Sequence, residues 1–241
     1  MKTPEIQRKR LKIAVLITAY NEGRELASLL EKFDSGYDVF LIDDGSRDDT
    51  AAIARSYGAK VVSHPVNLGQ GMALVTGFRL LAPMGYDMVI EMDGDGQHDP
   101  TEIPVLVKKM QESGCDVVAG SRILGENYKG APLARRIFLS PLTWVINRLT
   151  GYSLSDSMCG FRAFKGSALM KVSSILDKMI EPEYIASEMW IKFAKAGLTA
   201  TDAPIHLAGR KHGFSYKGML RYGWGVCSTI IRSKLDTLKY Q

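Results

Sequence analysis

The chain has 241 residues, 46% apolar and 24% charged, ordinary proportions for a globular protein long enough to bury a sizeable core. Its three cysteines, Cys115, Cys159 and Cys227, are too few and too scattered for a disulfide framework or a zinc site, and they read as reduced thiols of a cytosolic protein. A net charge of +5 suits an anionic substrate, a nucleic acid or an anionic membrane surface, and does not choose among them.

Met1 to Arg10 is charged, and the apolar run that follows, IAVLITAY, is short and enters NEG without a small-residue cleavage site. It reads as a first β-strand and not as a signal peptide. Continuously apolar runs at 13–18, 39–43, 61–63, 88–93 and 117–121 predict strands covered on both faces. Between the first two, Leu26, Leu29, Leu30 and Phe33 recur at helical spacing. Ser46 followed by Asp49 predicts a capping box at the start of a second helix. Asp99, Pro100 and Glu102 fit N-cap, N1 and N3 of another. Strand–helix alternation of this kind predicts an α/β fold with a mostly parallel sheet.

From about Leu133 the pattern changes to longer amphipathic stretches. Residues 183–197 read as a helix ending on Gly197, and 198–207 as a strand. The tail from Ser215 mixes aromatic and aliphatic residues with Arg221, Arg232, Lys234 and Lys239, which suits a helix docked on the domain or one lying in a membrane interface. The longest uncharged runs, 137–147 and 222–231, fall well short of the ~20 residues a membrane-spanning helix needs.

The densest chemistry lies in VIEMDGDGQHDP, residues 89–100. An EF-hand loop starting at Asp93 would need glycine where His98 stands and glutamate where Pro104 stands. A dinucleotide fingerprint fails too, since GQGMAL (69–74) ends on Leu74 and no strand leads straight into it. What remains is Asp93 and Asp95 at the carboxyl end of a buried strand, where open α/β sheets bind ligands. Two carboxylates so close repel, and a divalent cation with oxygen ligands, Mg²⁺ or Mn²⁺, offsets that repulsion. Gln97 adds a neutral oxygen; Asp99 is assigned to capping and His98 to structure or to support of the ligands. LIDDGSRDDT puts Asp43 and Asp44 at a second strand end, and TAYNEG (18–23) occupies a third. Three polar strand ends describe a nucleotide cleft.

The motifs ITAYNEG, LIDDGSRDDT, NLGQG, MDGDGQHDP, GSR and CGFRAF, in this order, resemble the family 2 glycosyltransferases over essentially the whole chain. Within that family they look most like the dolichol-phosphate (polyprenol-phosphate) mannosyltransferases. The resemblance implies one GT-A domain over 1–241, with a Rossmann-like nucleotide-sugar-binding half (1–122) and an acceptor-binding half (123–241) carrying amphipathic C-terminal helices. It implies a nucleotide-sugar donor, Mg²⁺ or Mn²⁺, and inversion at the anomeric centre. Ala19, Tyr20, Glu22 and Asp43 should then hold base and ribose, and Asp93 the ribose or the metal. Asp95 and Gln97 should ligate the metal between the diphosphate oxygens, and Arg122 should reach phosphate. RKHGFS resembles the family's Arg-x-x-Gly-x-Ser element, which makes Arg210 and Lys211 clamps for donor and acceptor phosphates, with Ser215 beside them. Two departures stand out: Gln70 occupies a position where many relatives have Lys, and Met158 and Cys159 replace small or hydroxyl residues.

The resulting expectation is metal-dependent transfer of mannose from GDP-mannose to a polyprenyl phosphate, with UDP-glucose, UDP-GlcNAc or a hydroxyl acceptor as alternatives in the same class. A catalytically silent nucleotide-sugar-binding scaffold is the alternative from another class, and the retained pair Asp93 and Asp95 speaks against it. A phosphate acceptor needs cations more than a base; the pool is Arg122, Arg135, Arg136, Arg162, Arg210 and Lys211. Arg135 and Arg136 serve equally as surface charges, and Arg162 as half of a structural ion pair. A hydroxyl acceptor would require a carboxylate base, for which Asp156 is the first candidate and Glu188 the second. No dense basic stripe with interleaved aromatics marks a nucleic-acid surface. Segment 133–150 and the tail offer amphipathic faces to a membrane, placing the protein peripherally on its cytoplasmic side.

Overall fold

A computed structural model describes residues 10–125, 133–179, 185–206, 225 and 227–232, with the side chains of 133–139 outside it. The elements run β1 (Ile13–Ala19), α1 (Gly23–Leu30), β2 (Tyr37–Asp43), α2 (Thr50–Ser56), β3 (Lys60–Ser63), α3 (Gln70–Leu81) and β4 (Met88–Asp93). They continue with α4 (Ile103–Ser113), β5 (Val117–Ser121), α5 (Leu133–Thr150), β6 (Arg162–Lys165), α6 (Leu169–Leu176), α7 (Ile185–Lys195) and β7 (Ala200–Pro204). The seven strands form one sheet in the order β3-β2-β1-β4-β6-β5-β7. Every pairing is parallel except those of β6, which runs antiparallel to both β4 and β5.

Alternate strand residues feed two cores, one on each face of the sheet. Leu16, Ile42, Phe78, Phe164 and Trp190 belong to one; Ile17, Leu41, Ile90, Leu106 and Phe161 belong to the other. The continuous apolar runs of β1, β4 and β5 are covered on both faces, and all seven residues of β1 are buried. The run at 61–63 is not: β3 is the edge strand and is largely exposed, Val62 included. Helix α3 packs against β1 through Gly77, where an added Cβ would overlap Leu16 Cδ1.

Several local expectations are corrected. Helix α1 closes at Leu30, so Phe33 lies beyond it and packs edge-on to Tyr37 at 6.3 Å between ring centroids. The Ser46–Asp49 capping box does not form, and the Asp49 side chain makes no cap at the start of α2. Ser46 Oγ instead accepts from the Asn21 amide at 2.9 Å, and Asp48 accepts from the amides of Gly23 (3.1 Å) and Thr50 (3.0 Å). The turn's hydroxyl and carboxylate are spent on binding the β1–α1 loop. Asp99 does cap, accepting from the Thr101 amide at 3.0 Å, but a 3₁₀ turn at Pro100–Glu102 precedes α4. Glu102 accepts from the His206 amide at 2.9 Å, tying α4 to the chain after β7. β6 has no counterpart among the sequence-predicted strands, and β7 is shorter than the strand expected over 198–207. No described helix is long and apolar enough to cross a membrane.

Gly77→Ala should force α3 away from β1 and cost about 1–3 kcal/mol. Urea unfolding should show this as a lower midpoint at unchanged slope.

Candidate active site

The loops that leave β1, β2 and β4 converge at their carboxyl ends because parallel strands bring those ends to one edge of the sheet. A cleft of about 560 Å³ opens there, walled by Tyr20, Glu22, Asp44, Asp93, Asp95 and Arg122 among others. Asn21, the one described non-glycine residue with positive φ (55°), turns the chain out of β1, and its Oδ1 accepts from the Arg47 amide at 2.8 Å. The walls of the cleft are therefore fastened to one another before any ligand arrives.

Acidic groups crowd this edge, and each is held by a specific donor. Asp93 Oδ1 accepts from Gln70 Nε2 at 2.6 Å. Its Oδ2 faces His98 Nε2 at 3.7 Å and lies against Gly160, where a Cβ would come within 2.7 Å. Asp95 accepts from the backbone amide of Gln97 at 3.0 Å and from that residue's side-chain amide. Gly94, between the two carboxylates, donates to the Thr18 carbonyl at 2.9 Å and has no room for a side chain beside Ala19. His98 is buried with its ring 5.2 Å from that of Phe161, as a structural role requires.

The pair Asp43–Asp44 divides its labour. Asp43 is buried and its Oδ1 accepts from the Ser46 amide at 2.9 Å, so this carboxylate turns into the βα turn and does not line the cleft. Asp44 does line it, accepting from the amides of Leu68 (2.9 Å) and Gly69 (2.7 Å). His64 Nδ1 lies 2.8 Å from Asp44 Oδ1, and its Nε2 lies 2.9 Å from Thr76 Oγ1. Ala19, Tyr20 and Glu22 all reach the cleft wall.

Arg122 enters the cleft from the end of β5, and its guanidinium is held on Asp156 through Nε (2.5 Å) and Nη2 (2.8 Å). Asp156 is fully buried and also accepts from the Met158 amide at 3.2 Å. Its carboxylate orients Arg122 and does not itself line the cleft. Glu188 is likewise fully buried, paired with Lys192 at 2.6 Å within α7. Arg162 pairs with Glu91 at 2.9 and 3.1 Å beneath β4 and lies under the Trp190 ring, so it leaves the pool of phosphate-directed cations. Burial pushes the Glu91 carboxyl up to about 6; Arg162 pulls it back and Asp93 pushes it further. Arg135 belongs to α5, with its side chain outside the described residues, as are Arg210, Lys211 and Ser215 entirely.

Among the described residues no three His, Cys, Asp or Glu side chains are grouped to hold an ion. Asp93, Asp95 and the Gln97 amide fit an oxygen-ligated cation that takes its remaining ligands from a bound diphosphate, since Mg²⁺ is seldom caged by protein alone. Sequence reasoning placed Asp44 at a strand end of the cleft without a role of its own, and missed His64, Glu91 and Gly160 as parts of this site. Only Gly160 carried a local signal, its place in the CGFRAF motif two residues before Arg162.

The family model described as Glycosyl transferase family 2 matches residues 14–173. The UDP-N-acetylglucosamine–dolichyl-phosphate N-acetylglucosaminyltransferase of Methanococcus voltae is 29% identical, covering 92% of this chain and 96% of its own length. The undecaprenyl-phosphate 4-deoxy-4-formamido-L-arabinose transferase of Salmonella choleraesuis is 30% identical, over 94% of this chain and 70% of its own. Among solved structures, glucosyl-3-phosphoglycerate synthase from Mycobacterium tuberculosis, in complex with Mg²⁺ and UDP, superposes with a TM-score of 0.66. It is 22% identical and covers 94% of this chain and 81% of that one, a likeness of fold, which is GT-A.

Asp156→Ala should destabilise the protein by about 3–5 kcal/mol, the usual cost of stripping one partner from a buried ion pair. Urea unfolding checks this. At temperatures where the variant stays folded, calorimetric titration should show weaker nucleoside diphosphate binding, because Arg122 has lost its orientation.

Proposed function

The chain belongs to the family 2 glycosyltransferases, and from that premise we propose that it transfers a sugar from a nucleotide diphosphate donor to a polyprenyl phosphate. The observation that carries this reading is the arrangement of charge around one cleft: Asp93 and Asp95 on one wall, and Arg122 locked on Asp156 at another. As the sugar departs, negative charge grows on the leaving diphosphate, and groups already aimed at it stabilise that charge without reorganising. Arg122 is such a group, since Asp156 takes both its Nε and its Nη2 and thereby fixes the guanidinium plane. A bound Mg²⁺ or Mn²⁺ would supply Lewis-acid stabilisation of the diphosphate, with Asp93, Asp95 and Gln97 as its protein ligands. Tyr20 is 41% exposed on the cleft wall, where its ring offers a face to a base, with Ala19, Glu22 and Asp44 nearby.

The acceptor assignment has support of its own. A hydroxyl acceptor needs a base, yet both carboxylates considered for that role, Asp156 and Glu188, are buried in ion pairs. A phosphate acceptor arrives already anionic and needs only cations, a role for Arg122 and, from the sequence resemblance, for Arg210 and Lys211. Both relatives carry a polyprenyl phosphate in their names. The motifs make GDP-mannose the first donor to try. A UDP-linked donor is the second reading, favoured by the Methanococcus voltae relative, whose name includes UDP-N-acetylglucosamine. A lipid acceptor also calls for contact with a membrane, and we place the protein peripherally on the cytoplasmic face. Trp144 on α5 is 67% exposed, with exposed Arg148 one turn further on, the pairing found on helices that lie in an interface.

Incubation with Mg²⁺ or Mn²⁺, a panel of nucleotide sugars and a short polyprenyl phosphate should yield a lipid-linked sugar. Absence of transfer and of nucleotide release from every donor would overturn the proposal. Asp95→Ala should cut metal-dependent turnover by about 100-fold or more, on the scale of losing a group that stabilises developing charge. The protein should also float with anionic liposomes, and Trp144→Ala should reduce the floated fraction; a wild-type protein that stays wholly in the aqueous phase contradicts the membrane assignment.

A further inference from the structure

Gln70 opens α3 directly behind a glycine with φ of 91°, and its side-chain amide donates to Asp93 Oδ1 at 2.6 Å. A carboxylate can only accept, so the NH₂ end of the amide must face Asp93. This contact is set from below. Asp44 accepts from the amides of Leu68 and Gly69, the two residues before Gln70, and His64 and Thr76 in turn hold Asp44 in place. On the other side of Asp93, the absence of a side chain at Gly160 lets Oδ2 settle 3.7 Å from His98 Nε2. Asp93 is thus gripped at Oδ1 by a neutral donor, while Oδ2 only faces His98 beyond hydrogen-bond distance. Asp95 is gripped the same way, by the backbone and side-chain amides of Gln97.

We propose that Gln70 is a positioning residue that aims Asp93 while leaving its full negative charge for a divalent cation, so that residue 70 sets the cleft's affinity for that cation. The inference rests on the reading of Asp93 and Asp95 as the cation-holding pair. A lysine at the same place would reach the same oxygen with a unit positive charge, cancel one of the two acidic charges, and compete with the metal. A methionine would keep the bulk of Gln70 and lose only the hydrogen bond.

The experiment titrates Mn²⁺ into protein saturated with UDP, and separately with GDP, reading free Mn²⁺ by electron paramagnetic resonance. Nucleotide affinity is measured in parallel in EDTA. Gln70→Lys should weaken Mn²⁺ binding by about tenfold or more, the low end of what one opposite charge does to a carboxylate's hold on a cation. Its metal-free nucleotide affinity should be equal to or tighter than wild type, since the ammonium can meet phosphate directly. Gln70→Met should weaken Mn²⁺ by about threefold, the loss of one hydrogen bond, with an unchanged thermal midpoint. Wild-type Mn²⁺ affinity in Gln70→Lys would overturn the proposal and assign Gln70 to the donor itself. A wild-type protein that binds no Mn²⁺ with either nucleotide would overturn both this proposal and the metal reading beneath it. The expected Mn²⁺ losses without sugar transfer to any polyprenyl phosphate would sustain this proposal and remove only the acceptor assignment.

Discussion

Like-charge repulsion at one edge of a parallel sheet is the constraint around which this protein is organised. The parallel strands deliver Asp43, Asp44, Asp93 and Asp95 to the same end, with Glu91 one layer below. Unpaired carboxylates at such spacing would push one another toward protonation or push the loops apart. The fold answers each one separately: a backbone amide for Asp43, two amides and His64 for Asp44, Gln70 for Asp93, Gln97 for Asp95, and Arg162 for Glu91. Glu91, the most deeply buried of them, receives a full counter-charge. The two that face the cleft on the β4 loop receive neutral amide donors, which orient both carboxylates without bringing a counter-charge.

The antiparallel strand β6 makes this arrangement possible. Inserted between β4 and β5, it places Arg162 opposite Glu91 in register. The residue two positions before it, Gly160, gives Asp93 the space its carboxylate occupies. The segment that leads into β6 carries Asp156, which takes hold of Arg122 at the end of β5. One short strand therefore supports the acidic wall and the basic wall of the cleft together.

Legibility in the sequence followed the strength and reach of each physical signal. The runs that became β1, β4 and β5 were legible because burial on both faces leaves an unbroken apolar pattern; β3 was found by its two valines although its edge position leaves it exposed. Asp93, Asp95 and Gln97 were legible because the reason for their spacing is local: a strand end and a glycine between two carboxylates. β6 was not, because RAFK is four residues long and its arginine is buried only by virtue of Glu91, 71 residues away in the chain. His64 carried no signal either, being a lone histidine until the fold brings Asp44 and Thr76 to its two nitrogens. The Ser46–Asp49 capping box was a false reading of a true turn, since the Asn21 amide claims the hydroxyl it would have used.

By itself the sequence determined the fold class, the strand ends that carry chemistry, and the family to which the chain belongs. These rest on patterns short enough to be written in contiguous residues. Tertiary structure alone decided which acids stay in the cleft and which are neutralised beneath it. It turned Asp156 from a candidate base into the support of Arg122, drew Arg162 into the core, and set Gln70 on Asp93. The reason is physical: a side chain's charge and direction depend on its partners and its burial, and here those partners come from distant parts of the chain.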